Sequence, residues 1–388
     1  MLYFDNAATT KTDRRVADLM NQILKGDYAN ASSRHMIGRK SRERIEGARQ
    51  ALREHFVMPQ ATVVFTSSAT EANNLALFSI RNNYLKGNKP LNVVTTKIEH
   101  PSVYEAIRQI FAASVAQIRY IQTDIRGNID MEHYRSVIDE NTVLVSLNHV
   151  NNELGTKNDI VVLSKAAKEI NDKIVFHSDI VQGAGKFVYN IDEMDVDMIT
   201  LSAHKFHGPK GVGALMAKSH VRLSPFYYGG EQEEGLRPGT ENIAAIEGMR
   251  MALALSMEEV GEEEKIWAIN KHLRSEMKNK ISDIYFHTPD QTCNASPYIL
   301  NAAIAGCKAE VLSRMMDEKG IAVSTSSACS SKKKISRVLT ETGIKREDAQ
   351  NSIRISLSRY TTKEQCDELV CVLVQSVERL RKITKYSR

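Results

Sequence analysis

No stretch of this 388-residue chain approaches the uninterrupted apolar length of a bilayer-spanning helix, so no membrane partner is expected. The opening residues, Met1-Leu2-Tyr3-Phe4-Asp5-Asn6, carry no basic region followed by an apolar stretch. A secretory leader is therefore not expected, and the cytoplasm is the expected compartment. Cysteine is scarce. The five residues Cys293, Cys307, Cys329, Cys366 and Cys371 form no C-x-x-C pair and no metal-ligand spacing, so no metal site is expected. An odd number in a reducing compartment also argues against structural disulfides. Charge imbalance is small, +5 at neutral pH. Spread over this length it gives no reason to expect direct nucleic-acid binding, although a basic surface could help dock an acidic or RNA-bearing partner. Repeats, low-complexity tracts and disordered linkers are lacking too.

What is present is a soluble-protein composition, 42% hydrophobic, on a chain too long for one ordinary core. Short apolar runs at 62–65, 92–95, 143–147, 174–177, 198–201 and 213–217 alternate with helix-like segments such as 71–85, 102–112 and 160–171. That alternation predicts an α/β fold, with a mostly parallel sheet flanked by helices. Ligands gather at the carboxyl ends of the strands in such folds. A long helical stretch over 242–280 leads towards a smaller α+β C-terminal domain with strand-like runs at 298–303 and 352–357 and a last helix over 363–382. The expected division is a large domain over 14–255 and a small one over 1–13 and 256–388. Cys366 and Cys371 fall on the last helix and are read as packing.

Two residues at strand ends carry chemistry. Lys205 follows the run Met198-Ile199-Thr200-Leu201 in Ser202-Ala203-His204-Lys205, ahead of a Gly/Pro-rich turn. Asp179 ends the run Val175-Phe176-His177-Ser178. Most lysines after a strand are merely solvated. The pair, however, suits pyridoxal phosphate, which needs a lysine for covalent attachment and an acid beside its ring nitrogen. A third segment, Thr66-Ser67-Ser68-Ala69-Thr70-Glu71-Ala72-Asn73-Asn74, follows a strand and opens a helix. Ser and Thr there fit an ordinary N-cap, but small residues at a helix N-terminus also fit a phosphate.

With these segments stand Tyr3 to Thr10, Asn30-Ala31-Ser32-Ser33-Arg34-His35, Glu99-His100, Val150-Asn151-Asn152-Glu153-Leu154-Gly155, Arg237-Pro238-Gly239-Thr240-Glu241-Asn242, Ser327-Ala328-Cys329 and Ile353-Arg354-Ile355-Ser356-Leu357. In order and spacing, over nearly the whole chain, the series resembles the cysteine desulfurases of the NifS/IscS type, which are fold-type I enzymes of the class-V aminotransferase group. The resemblance implies pyridoxal 5′-phosphate as cofactor and a role for each matching residue. Lys205 would hold the cofactor and later move protons at the substrate carbon, and Asp179 would pair with the pyridine N–H. His100 would stack on the ring and act as acid–base; without the family it reads as a helix-start histidine beside Pro101. Asn152 and Gln182 would hydrogen-bond the phenolic oxygen, with Asn152 also reaching the substrate. Ala69, Thr70, Ser202 and His204 would form the phosphate cup, and Thr240 would complete the cup of a partner subunit in a homodimer. Arg354 would clamp the substrate carboxylate in a bidentate pair.

Cys329 decides the reaction. Small polar residues surround it in Ser324-Thr325-Ser326-Ser327-Ala328-Cys329-Ser330-Ser331, and Lys332, Lys333 and Lys334 follow. By itself it reads as a lone surface cysteine. Nearby positive charge favours a thiolate, and the resemblance makes Cys329 the nucleophile that takes sulfur from L-cysteine as a persulfide, leaving L-alanine. The persulfide would pass to a protein acceptor, an iron–sulfur scaffold or a tRNA or thiamine thiolation enzyme. Some positions depart from the family pattern: Ala29 and Ala31 flank Asn30, and Ser68, Glu231 and Ser326 stand where glycine is usual. The Lys-rich 330–336 stretch resembles a subgroup associated with tRNA thiolation. Transamination and selenocysteine lyase chemistry are the rivals on the same fold, and Cys329 argues against the first. A non-catalytic partner-binding homologue would not need Lys205, Asp179, His100, Cys329 and Arg354 together.

Overall fold

Alternating buried runs and amphipathic helices sort the chain into two sheets with separate cores. The computed structural model describes all residues except 85–89, 113–114, 259–261, 326–334 and 387–388. In chain order the strands begin with β1 (Leu2–Tyr3), β2 (Thr62–Thr66), β3 (Asn92–Thr96) and β4 (Gln117–Ile121). They continue with β5 (Thr142–Asn148), β6 (Val175–Asp179), β7 (Met198–Ser202) and β8 (Gly213–Ala217). The last five are β9 (Ile284–Phe286), β10 (Ile299–Ile304), β11 (Ile321–Ala322), β12 (Ser324–Thr325) and β13 (Ser352–Ser356).

Strands β2 to β8 form one sheet in the order β2-β8-β7-β6-β5-β3-β4. The neighbours from β7 to β4 run parallel, whereas β8 is antiparallel to both β2 and β7. Residues of β3, β6, β7 and β8 are buried throughout, as a sheet covered on both faces requires. One face packs on a cluster containing Leu52, Phe56, Phe176, Ile199, Met216 and Met249, and the other on a cluster containing Leu75, Leu77, Ile80, Ile107 and Phe111. A second sheet, β12-β13-β10-β9, is antiparallel. It packs on its own cluster with the helices Glu262–Lys280, Ala309–Asp317 and Lys363–Thr384. β1 pairs in parallel with β11, and Phe4 is buried in this second cluster. Among the described residues no helix is long and apolar enough to cross a membrane.

Most expected elements stand within two residues of their expected bounds. The edge strand β4 was not anticipated: its residues are mostly half-buried or exposed, so its apolar signal is weak. The expected 242–280 helix is two helices, Ile243–Met257 and Glu262–Lys280, with 259–261 outside the described residues. Cys366 is buried on the last helix and Cys371 is exposed.

One close approach positions the candidate site. A Cβ at Gly213 would stand 2.7 Å from the Ser68 carbonyl carbon, 2.8 Å from Leu201 O and 2.9 Å from Ala69 N, all main-chain atoms. Only glycine lets β8 lie this near the start of the helix Ala69–Tyr84. Gly213→Ala is therefore expected to destabilise the protein by about 1–3 kcal/mol, the usual scale of overpacking. A urea-unfolding midpoint equal to that of the parent would show that β8 withdraws at no cost.

Candidate active site

The carboxyl ends of β2, β3, β5, β6 and β7 open on one cavity of about 390 Å³. Its walls include Ala69 and Thr70 after β2, His100 after β3, Asn148 and Asn152 after β5, Asp179 and Gln182 after β6, Ser202, His204 and Lys205 at the end of β7, and Arg354 from β13. The structure thus brings together every expected site residue but two. Thr240 is exposed and does not line this cavity, and Cys329 lies outside the described residues.

Lys205 leaves β7 through a single 3-10 turn, Ala203–Lys205. The turn closes tightly, because Phe206 N and Gly208 N both donate to Ala203 O. A Cβ at Gly208 would meet that oxygen at 2.8 Å. Lys205 Nζ donates to the main-chain oxygens of Ala7 at 2.6 Å and Ala8 at 2.7 Å. Burial and then the Arg354 cation bring its ammonium down to about 8, against Asp5 and Asp179.

Asp179 ends β6 almost fully buried. Its Oδ1 accepts from Val181 N at 3.0 Å and its Oδ2 from Asn73 Nδ2 at 3.0 Å. Thr200 Oγ1 donates to Asn73 Oδ1 at 2.6 Å, which fixes the orientation of that amide. Asn73 Nδ2 also donates to Ser102 Oγ at 2.9 Å, and Ser102 Oγ lies 2.7 Å from His100 Nδ1. The histidine is the N-cap of the helix Pro101–Ile110, as its position beside Pro101 suggests, and also a cavity wall. Ser102 N donates to its Nδ1, so that nitrogen is bare and a neutral ring carries its proton on Nε2. Burial, Lys205 and Arg337 hold the His100 pKa down, against the pull of Asp179. Asn73 and Ser102 were missed as site residues. The available signal was a polar residue on an apolar helix face, Asn73 beside Ala72, Leu75 and Ala76.

The helix Ala69–Tyr84 starts at the cavity wall. Its first-turn N–H groups have no intrahelical acceptors and its dipole favours an anion. His204 faces the same cavity, with burial and then Lys205 bringing its pKa down to about 4. Glu71, in the first turn, accepts from Arg237 Nε at 2.9 Å, Tyr227 Oη at 2.7 Å and Ser67 N at 2.6 Å. Those donors outweigh burial and hold it down at about 2. The loop bearing Thr240 is thereby tied to this helix.

Arg354, on β13, is buried. Its terminal nitrogens donate to Asn152 O at 2.8 Å and Asp5 Oδ1 at 2.9 Å. Each terminal nitrogen carries two N–H bonds and uses one of them here, so the guanidinium keeps donors for an anionic ligand. A lysine, an acid, a helix N-terminus and an arginine with a spare donor together fit pyridoxal phosphate and an amino-acid carboxylate. Both flanks of 326–334 are held near the cavity. Ser324 pairs with Arg354 across β12 and β13. Ser336 Oγ donates to Glu153 Oε2, and Arg337 donates to Glu99 O and stacks on Tyr104.

His177 is fully buried and His149 nearly so. Burial pushes them down to about 3 and about 4. Both fall below the ordinary value of an unfolded chain, so between pH 6.5 and pH 4 the unfolded state binds more protons and stability falls with pH. At pH 5 each costs about 2 kcal/mol. Glu99 pulls the other way, raised by burial to about 8. It nevertheless accepts from Thr96 Oγ1 and from both Asn148 N and Asn148 Nδ2, which favours its carboxylate, and His204, His207 and His287 reinforce the histidine trend. The urea midpoint should therefore drop between pH 6.5 and pH 5; a midpoint flat over that range would refute the enclosure of these imidazoles.

The aminotransferase class-V family profile matches residues 2–369. The chain is 37% identical to cysteine desulfurase IscS of Dictyoglomus turgidum, an alignment covering 100% of this chain and 97% of that protein. It is 36% identical to cysteine desulfurase IscS 1 of Archaeoglobus fulgidus, over 100% of each. Among solved structures, a NifS-like protein superposes with a TM-score of 0.90 at 32% identity, covering 97% of this chain and 99% of that one. SspA in complex with cysteine superposes with a TM-score of 0.76 at 29% identity, covering 93% and 100%.

Proposed function

The chain belongs to the class-V aminotransferase family, and on that premise we propose that it is a pyridoxal-phosphate-dependent cysteine desulfurase acting on L-cysteine, with Cys329 as the residue that receives sulfur. The observation that carries the reading is the convergence of Lys205, Asp179, His100 and Arg354 on one cavity, with one flank of the Cys329 segment paired to Arg354 and the other bonded to Glu153 and Glu99, neighbours of the wall residues Asn152 and His100.

When bound, the cofactor supplies an electron sink for the substrate carbon. This chain's residues do the rest. The N-terminus of the helix Ala69–Tyr84, with Ser202 and His204, would hold the phosphate, and Lys205 would hold the cofactor. Asp179, oriented by Asn73, would pair with the ring nitrogen. Gln182 and Asn152 would hydrogen-bond the phenolic oxygen. Arg354 binds the substrate carboxylate, and its link to Asp5 stops it turning away. Once the substrate amine has taken its place on the cofactor, Lys205 would be a free amine able to take the α-proton, and an amine brought down to about 8 by burial and Arg354 is a competent base near neutrality. His100, neutral with its proton on Nε2, stacks and donates. The Cys329 thiolate attacks the substrate sulfur; a sulfur–sulfur bond forms as the carbon–sulfur bond breaks. The β-carbon left with the electron pair is protonated, and Lys205 would return a proton to the α-carbon, giving alanine and a persulfide on Cys329.

The persulfide then passes to an acceptor thiol of a scaffold or thiolation protein. The lysines that follow Cys329 favour an acidic or RNA-bearing acceptor, which is the support for a tRNA-thiolation role. We read residues 14–255 as the cofactor domain and 1–13 with 256–388 as the small one, in keeping with the two separate cores, and the cytoplasm as the compartment. A homodimer would let the exposed Thr240 complete the partner's phosphate cup. Sedimentation should find a dimer at assay concentration; a fully active monomer would end that part of the reading.

Cys329→Ser should lower alanine formation by about 10³-fold or more, the scale seen when a nucleophile is removed. It should still change its bound-cofactor absorbance on addition of cysteine, because Lys205 and Arg354 remain. Serine variants at 293, 307, 366 and 371 should stay active. Alanine and sulfide formed by Cys329→Ser at the parent rate, without added thiol, would sink the assignment.

A further inference from the structure

Lys186 follows Gln182 by four residues and has no part in the reaction above. Its Nζ donates to Gln182 Oε1 at 3.3 Å, while Gln182 Nε2 donates to Ala7 O at 2.9 Å. These contacts admit one amide orientation. Turned over, the NH₂ would face an ammonium and the carbonyl oxygen another carbonyl. Ala7 O uses one of the two N–H bonds on Nε2, and Gln182 is itself a cavity wall. The second N–H is therefore free to serve a ligand. Ala7 O is also an acceptor for Lys205 Nζ, so a single carbonyl registers both side chains. On its other side the Lys186 ammonium lies 5.5 Å from the centroid of the Tyr298 ring.

We propose that Lys186 is a positioning residue that locks the Gln182 amide with an N–H towards the phenolic oxygen of the cofactor, and so sets the protonation equilibrium of the nitrogen linking the cofactor to Lys205. The proposal rests on the cofactor reading above. A donor on the phenolic oxygen stabilises its anion. That help counts most once the linking nitrogen has lost its proton, because the internal N–H···O bond is then gone. Losing the donor therefore raises the pKa of that nitrogen.

Burial and then Lys205 bring the Lys186 ammonium down to about 7, so it carries its charge below neutrality, and it faces Lys205, His204, His207 and Arg359. Deleting a cation shifts the same equilibrium upward through space, so the direction alone does not decide. A double-mutant cycle does. The holoenzyme's bound chromophore is titrated by absorbance in the parent, Lys186→Met, Gln182→Met and the double variant, with far-UV dichroism confirming folded protein. Lys186→Met and Gln182→Met are each expected to raise the midpoint by about one pH unit, tenfold in the equilibrium. The double variant is expected to match Gln182→Met alone. Lys186→Arg retains a charged donor and should titrate like the parent.

A midpoint unmoved in Lys186→Met overturns the proposal. So does a double variant shifted by the sum of the singles, since Lys186 would then act without Gln182, or a shift in Lys186→Arg as large as in Lys186→Met. These outcomes leave the cofactor reading standing. A parent protein that shows no chromophore on Lys205 removes that reading, and this proposal with it.

Discussion

A half-buried ammonium beside a second cation still needs acceptors, and Lys205 finds them in the main chain of Ala7 and Ala8. That requirement dictates the course of residues 2–10. Leu2 and Tyr3 pair with β11, and Phe4 exchanges main-chain hydrogen bonds with Ala322 and Ser356. Asp5 holds Arg354, Asn6 donates to Ser356 O, and Ala7 N donates to Ser356 Oγ. Thr10 then joins His204 O and His207 N. One strap thus connects the small sheet to the turn that bears the lysine. Arg354 and Lys205, for which we propose carboxylate and cofactor binding, are thus registered against each other through a few adjacent residues.

Charge in the cavity follows from the same burial. Lys205 and Arg354 face it opposite the carboxyl of Asp179, and the helix N-terminus adds partial positive charge. The balance favours anions, and the reaction brings two: a phosphate and an amino-acid carboxylate. Burial also keeps the surrounding imidazoles neutral, His204 at about 4 and His177 at about 4, so they do not add to the repulsion between lysine and arginine. The lowered Lys205 ammonium is the chemical consequence: the site that repels one more proton is the site that needs a free amine.

Much of this was legible in the sequence because strand ends are. A β-branched run followed by Ser202-Ala203-His204-Lys205 fixes which residue leaves the sheet, and burial of the run follows from its composition. Asp179 was legible for the same reason. The supporting layer was not. Asn73 acts through hydrogen bonds to Thr200, Asp179 and Ser102, partners that only the packing of a helix on the sheet brings together. Lys186 meets Gln182 at a spacing of four residues, yet nothing in the sequence says that both turn inward. The edge strand β4 escaped notice because half-buried strands lack the apolar signal, and the split of the 242–280 helix because residues on both sides of the break are good helix formers, although the chain passes there from mostly apolar to mostly charged.

Covalent geometry bounds what the Cys329 thiol can reach. Cys329 is four residues beyond Thr325, and a chain spans at most about 3.5 Å per residue. Its Cα therefore lies within about 14 Å of Thr325 whatever path 326–334 takes. Thr325 is paired with Ile353, and Ser324 with Arg354 itself. The strand that presents the carboxylate-binding guanidinium also sets the origin from which the thiol is delivered. From the other side, Ser336 and Arg337 attach to Glu153 and Glu99, neighbours of Asn152 and His100. Shifting β12 by one residue along β13 would move the thiol's origin relative to Arg354 and reverse the faces of Ser324 and Thr325. The register of the two-residue strand β12 therefore fixes where the chain enters 326–334 relative to Arg354.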